Sequence, residues 1–332
     1  MLPTRPLGKT GMQITTLGLG AWAIGGGEWF AGWGDQDDAN SIEAIHAAIE
    51  SGINWIDTAA VYGLGHSERV VGRALKDFSD NDRPLVFTKC GRVGDPSNPK
   101  EQPKSIGRRD SIEAEVDASL RNLGVEQIDL MQVHWPSEDV PLEEEWQTLI
   151  DLKSKGKIRA IGLSNHNPDS LNRAEALHHV ESLQPHFSVI SRKAGASELP
   201  WCQKHNTGVI VYSPMENGIL TGAFSADRVA GLPDNDWRKR SPKFTTNLTA
   251  NLALTEKLSV IANRRGVPTA AIALGWVLAW PMISGAIVGA RNGSQIAGWI
   301  SGASTVLSKE ELDEIATAID ETAAGEGPNK PI

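Results

Sequence analysis

Eight short apolar runs recur along the 332-residue chain and constrain its fold more than any other feature. They are TLGLGAWA (16–23), NWIDTAA (54–60), PLVFTKCG (84–91), QIDLMQVH (127–134), KIRAIGLSN (157–165), LQPHFSVI (183–190), GVIVYSP (208–214) and ISGAIVGA (283–290). Near-continuous apolarity, rather than strict alternation, marks strands covered on both faces. Between the runs lie amphipathic segments with apolar residues at helical spacing, such as Ile42, Ile45 and Ile49, or Ile112, Val116, Leu120 and Leu123. The second of these opens on Asp110 and Glu113 at capping-box spacing and closes on Gly124, a usual helix stop. Strand and helix thus alternate throughout, and a chain of this length suits one α/β domain over residues 1–332, a parallel (β/α)8 TIM barrel, better than an open sheet.

Three segments fall outside that rhythm. RPLGKTGMQIT near the N-terminus has the glycine-flanked turn of a β-hairpin placed to plug the barrel bottom, and SKEELDEIATAIDETA reads as an extra C-terminal helix. A long loop at 223–250, after the seventh strand, has the length of a functional lid or a disordered segment. Its cluster Arg238, Lys239 and Arg240 either faces a phosphate or forms a solvated run. Residues 323–332 read as a flexible tail.

An apolar share of 40% with 22% charged residues is that of a globular protein able to bury a sizeable core. The net charge of −9 repels nucleic-acid phosphates and anionic lipid, so neither is expected as a partner. No run reaches about 18 apolar residues and no targeting segment is evident, which leads us to expect a cytoplasmic protein. Cys90 and Cys202 stand far apart, outside any C-x-x-C spacing, and we expect both to be reduced and buried. No His, Cys, Asp or Glu cluster has metal-ligand spacing, so no metal is expected.

Gly18, Gly20 and Ala23 match the loose G-x-G-x-x-A dinucleotide fingerprint, but that fingerprint requires a helix to start at once. IGGGEWFAGWGD follows instead, and so many glycines do not hold a helical turn. The segment reads as a loop presenting Trp22, Trp29 and Trp33, which either wall an apolar substrate pocket or pack against neighbouring loops.

In barrel enzymes the chemistry sits at the C-terminal ends of the strands. There stand Asp57 with Tyr62 five residues on, Lys89, His134, Ser164 and Asn165, Gln184, Tyr212 and Ser213, and Arg291 after the eighth run. The first four make a coherent set. A phenol is a poor acid near neutrality, and an ammonium beside it favours the phenolate, so Lys89 is expected to lower the pKa of Tyr62. Asp57 would keep Lys89 charged and oriented, and His134 would offer a hydrogen bond to a substrate oxygen.

INWIDTAAVYGLGHSE, FTKCG, DLMQVHWP, AIGLSNHNP, YSPMENGILTG and IVGARNGSQ, in that order from about Leu7 to Leu312, closely resemble the aldo-keto reductase superfamily. Within it the resemblance runs to bacterial general stress proteins and sugar or glyceraldehyde reductases. It implies a barrel that binds NADP(H), with NAD(H) as the alternative, in extended form without a Rossmann domain. It implies Tyr62 as the general acid/base, Lys89 and Asp57 tuning it, and His134 orienting a carbonyl. Trp22, with Trp29, Trp33 and Trp135, would wall the substrate pocket. For the cofactor it implies Trp22, Asp57, Ser164, Asn165 and Gln184 near the nicotinamide, with Tyr212 stacked on the ring. Ser213, Pro214, Met215, Gly218, Leu220, Thr221 and Gly222 would run along the pyrophosphate. Gly289, Arg291 and Gln295 would meet the adenosine end, where a guanidinium takes a 2′-phosphate in fork geometry.

Many members of the superfamily carry Glu and Asn three and four residues after the position of Gln295, where this chain has Gly298 and Trp299. The expected reaction is reduction of an aldehyde, ketone or sugar carbonyl, or its reverse. The alternatives are a non-catalytic nicotinamide-binding regulatory subunit and a Schiff-base aldolase using Lys89. His66 to Glu68 are expected to begin and cap the helix that follows Tyr62.

Overall fold

A computed structural model of the chain describes residues 1–79, 82–232 and 236–331. The strands β1 (Thr4–Pro6) and β2 (Gln13–Thr15) form an antiparallel hairpin. The barrel then follows in order: β3 (Leu17–Gly20), α1 (Asp38–Glu50), β4 (Trp55–Asp57), α2 (His66–Leu75) and β5 (Leu85–Cys90). A two-stranded ribbon, β6 (Arg92–Val93) with β7 (Lys104–Ser105), precedes α3 (Arg109–Leu123). Next come β8 (Ile128–Val133), α4 (Leu142–Ser154), β9 (Ile158–Ser164), α5 (Pro168–Glu175), β10 (Ser182–Gln184), α6 (Glu198–His205) and β11 (Gly208–Val211). The chain ends with α7 (Ala226–Ala230), α8 (Leu248–Arg265), α9 (Thr269–Leu278), β12 (Ile283–Gly289) and α10 (Lys309–Thr322).

Eight of the strands close a barrel in the order β3-β4-β5-β8-β9-β10-β11-β12, every pair parallel. This is the (β/α)8 barrel expected from the alternating runs. The hairpin does plug its bottom. Leu7, Met12 and Ile14 are buried among Trp55, Phe87, Leu130, Ala160, Ile210 and Ile287 from the strands. Arg5 donates to the carbonyls of Ile283 (2.6 Å) and Leu278 (2.8 Å), and the Trp55 indole donates to Thr15 O (2.8 Å).

Because side chains alternate along a strand, the inward positions two residues above that apolar layer face the barrel mouth. They are Asp57 above Trp55, Lys89 above Phe87, Gln132 above Leu130 and Tyr212 above Ile210. The strands are therefore largely apolar where they meet the helices and at the barrel's lower layer, with exceptions such as Thr88 and Asp129, and polar in the top inward layer.

Several local expectations are corrected. The run 183–190 is a strand only to Gln184, because Pro185 lacks the N–H needed to continue the ladder. Helix α3 starts at Arg109 with no side-chain cap, Asp110 accepting instead from the adjacent Ser111 N–H. Its close on Gly124, in the left-handed conformation, is as expected. The capping box belongs to α10, where Ser308 and Glu311 satisfy each other's backbone N–H. Glu68 does not cap α2, whose N-cap is Gly65; it is buried and accepts from Thr88 (2.7 Å) and Asn122 (3.1 Å).

The 223–250 connection carries α7 and short helical turns at Trp237–Arg240 and Pro242–Phe244. Residues 324–327, assigned to the flexible tail, lie against the barrel instead. Arg192 donates to Ala324 O (2.9 Å) from its side chain and to Glu326 O (3.0 Å) from its backbone. A Cβ on Gly325 would stand 1.8 Å from Ile190 O, so only glycine permits this approach. Cys90 and Cys202 are free and buried, as expected.

Candidate active site

Tyr62 owes its place to a turn locked on three sides. Its amide donates to Ala59 O (3.1 Å), and Ser67, at the start of α2, donates to Ala21 O (2.8 Å) while bonding Thr58 (2.9 Å). The turn then presses on the loop after β3: a Cβ on Gly63, itself at φ 59°, would lie 2.2 Å from Gly25 O. Two glycines at this crossing let the backbones touch and bring Tyr62 over the barrel mouth.

Beneath it lies a buried ion pair. Lys89 Nζ donates to Asp57 Oδ1 (2.6 Å) and to Thr58 O (2.8 Å), and sits 5.4 Å from the centre of the Tyr62 ring. Gln184 donates from one amide nitrogen to Asp57 Oδ2 (2.8 Å) and to Gln132 Oε1 (2.8 Å), which completes the carboxylate's coordination. Burial pushes the Asp57 carboxyl up and the Lys89 ammonium down, while the pairing between them opposes both shifts. His134 faces Tyr62 edge-on at 5.7 Å. Burial, then the charges of Lys89 and Arg92, hold its imidazole well below the usual histidine range, so it is neutral at physiological pH.

The expected lowering of the Tyr62 pKa is not what this environment produces. Burial raises the phenol well above its ordinary value, and the charge of Asp57 adds to that. With Lys89 paired to Asp57, the effect of burial dominates.

Asn165 ties the next strands together. At φ 62°, a conformation asparagine tolerates, it donates to His134 O (3.0 Å) and Ser164 Oγ (3.0 Å) and accepts from the Tyr212 hydroxyl (2.8 Å). Ser164 in turn donates to Gln184 O (2.8 Å). His186 covers one face of the Tyr212 ring at 5.0 Å.

Beyond Tyr212 the backbone of Ser213, Glu216, Asn217, Gly218 and Gly222 enters the left-handed region repeatedly. The N–H groups of Glu216, Gly218 and Leu220 donate to the carbonyls of Ser213 and Met215, closing successive tight turns. Pro214, Met215, Leu220 and Thr221 complete this stretch, and Gly289 ends the neighbouring β12 beside Gly20. Glu216 is wholly buried and accepts from Ser188 (2.6 Å) and Lys243, with His186 Nε2 at 3.0 Å. Burial alone would raise it, but His186 and Lys243 hold it down at about 2.

Arg291 and Gln295 line a cavity of about 530 Å³ together with Asp35, Gln36, Asp37, Asn40 and Asn292. Arg291 does not stand free for a phosphate: its Nε donates to Gln36 (2.8 Å) and its Nη2 to Asp35 O. This cavity offers polar groups where the resemblance puts the adenosine end of the cofactor.

The indoles divide. Trp22 lies 6.4 Å from Tyr62 at 28°, Trp29 lies 5.9 Å from it, and Trp33 meets Trp22 edge-on at 5.2 Å. Trp135 is 44% exposed and, among the described residues, pairs with no ring of this group. The basic cluster resolves too: Arg238 pairs with Asp236 (2.6 Å) and lies over the Trp33 ring. Sequence reasoning missed Gln132, Glu216 and Trp237. Gln132 was detectable as the polar inward residue of β8, while nothing local marked the other two.

Fold and site define a parallel barrel whose mouth holds a tyrosine with an ion pair beneath it and an imidazole facing it. The chain belongs to the aldo/keto reductase family, whose profile matches residues 16–320. It is 33% identical to the aldo-keto reductase YhdN of Bacillus subtilis (strain 168), over 95% of this chain and 93% of that one. It is also 33% identical to an NADH-specific methylglyoxal reductase of Escherichia coli (strain K12), over 95% and 98%. The structure of the glycerol dehydrogenase AKR11B4 from Gluconobacter oxydans superposes with a TM-score of 0.88 at 34% identity, covering 99% of this chain and 98% of that one.

Proposed function

We propose that the protein reduces an uncharged aldehyde or ketone to an alcohol with a nicotinamide dinucleotide, Tyr62 donating the proton. The observation that carries this reading is the Asp57–Lys89 pair held under the Tyr62 ring, with neutral His134 on its open side. When bound, the reduced nicotinamide supplies the hydride. The chain's own residues do the rest. His134 donates a hydrogen bond that orients the carbonyl oxygen. Tyr62 gives its proton to the forming alkoxide, a far stronger base than a phenolate, so a phenol above its usual range still transfers it. Lys89 stabilises the phenolate left behind.

Because Lys89 already donates to Asp57 and Thr58, it is not the neutral amine a Schiff-base aldolase needs. For the cofactor we retain NADP(H), with NAD(H) accepted. Arg291 favours the 2′-phosphate, whereas its bonds to the 35–36 loop, the carboxylates of Asp35 and Asp37 in the cavity, and the NADH-specific relative favour NAD(H).

Tyr62→Phe is expected to bind the dinucleotide normally by fluorescence titration while losing about 100-fold or more in kcat against a good aldehyde. Turnover within a few-fold of wild type would remove Tyr62 as the acid.

A further inference from the structure

The loop that the sequence left undefined places one residue beside the catalytic tyrosine's neighbours. Its segment Asp236 to Phe244 closes on itself at one contact and is pinned to the barrel top at two. Asp236 takes the Arg238 guanidinium at 2.6 and 3.0 Å and its backbone N–H at 2.9 Å. Lys243 bonds the buried Glu216, and Phe244, 1% exposed, sits in the main core. Trp237 is thereby held edge-on to Phe244 at 6.1 Å, edge-on to Trp33 at 5.7 Å, and near-parallel to Trp22 at 6.0 Å and 26°.

Trp22 has Tyr62 as its other near-parallel neighbour, at 28°. Tyr62, Trp22 and Trp237 thus form a chain of near-parallel rings starting at the proton donor, with Trp29 also against Tyr62. A substituent on the Trp22 side of a carbonyl brought to Tyr62 and His134 would meet these rings. The cation next to this wall, Arg238, is already neutralised by Asp236.

Building on the reductase reading, we propose that Trp237 determines substrate size: it closes the aromatic wall outside Trp22, so that short, uncharged aldehydes and ketones fit and bulky ones are excluded. A rigid indole at a pocket wall rejects added bulk sterically, and its removal shifts the ratio of kcat/KM between substrates rather than the chemistry at Tyr62.

The test compares wild type, Trp237→Ala and Trp237→Phe on propionaldehyde and 2-naphthaldehyde with saturating dinucleotide. The ratio of kcat/KM, naphthaldehyde over propionaldehyde, is expected to rise about tenfold or more in Trp237→Ala and by less in Trp237→Phe. The change should reside in KM for the bulky aldehyde. The indole exciton couplet in circular dichroism, to which Trp237 contributes through Trp22 and Trp33, should weaken in both variants. Ratios within twofold of wild type in both variants, or an unchanged couplet, would overturn the proposal. If the wild type reduces neither aldehyde, it is the reductase reading that fails. Affinities from quenching of tryptophan fluorescence then decide on Trp237, equal naphthaldehyde binding by all three proteins refuting it and tighter binding by Trp237→Ala upholding it.

Discussion

Glu145 shows how sharply one buried group can couple this protein to pH. It is fully buried on α4 behind the active-site strands, and its oxygens make no hydrogen bond of good geometry, although Ser137 lies beside it. Burial pushes its carboxyl up to about 7, and the nearby Glu115 to about 8. A carboxyl whose folded pKa is raised favours folding while protonated, and that advantage is lost as pH rises through the folded value. Stability should therefore fall between about pH 5 and 8. Glu145→Gln, which cannot ionise, is expected to be more stable than wild type by about 1–3 kcal/mol at pH 8 and equal to it at about pH 4, by urea denaturation. A stability difference independent of pH would show that Glu145 does not titrate in this range.

At the scale of elements, Glu216 joins the turn after β11 to the Asp236–Phe244 segment. Its carboxyl is held at about 2 by His186 and Lys243 against the opposing effect of burial. Since the folded pKa lies below the unfolded one, this stabilisation is present above about pH 4.5 and is lost as pH falls towards 2. Glu216→Ala is expected to cost about 3 kcal/mol at pH 7 and much less near pH 3. It should also release Lys243 and loosen Trp237, raising hydrogen exchange over 236–244. Protection unchanged in that segment would mean that the core contact of Phe244 holds it alone.

For the whole molecule, the C-terminal residues close the side of the barrel near β10. Arg192 is buried, and its acceptors include the carbonyls of Ala324 and, through its backbone, Glu326. Truncation after Thr322 removes these acceptors and uncovers Ala324's site, leaving a buried guanidinium short of partners. We expect a loss of about 2–4 kcal/mol, read as a lower Tm with the far-ultraviolet circular dichroism at low temperature retained. An unchanged Tm would show that water replaces the lost acceptors without cost.

The sequence alone determined the barrel, because eight apolar runs separated by amphipathic segments have few ways to bury both faces of every strand. It also determined Asp57, Tyr62, Lys89 and His134, since strand ends can be read from where apolarity stops, and strand ends are where a barrel gathers its polar groups. What it did not determine were properties that depend on distance between segments remote in the chain. The direction of the Tyr62 shift followed from burial of the phenol and from the charge of Asp57, a residue of the neighbouring strand end. The engagement of Arg291 followed from the loop at residues 35–36, more than 250 positions away. The roles of Glu216 and Trp237 followed from a loop with no periodicity, whose conformation is fixed by the surfaces it meets rather than by its own residues. Local pattern sets which elements form and where their polar ends lie; only tertiary packing decides which of those ends are neutralised, which stay open, and what stands over them.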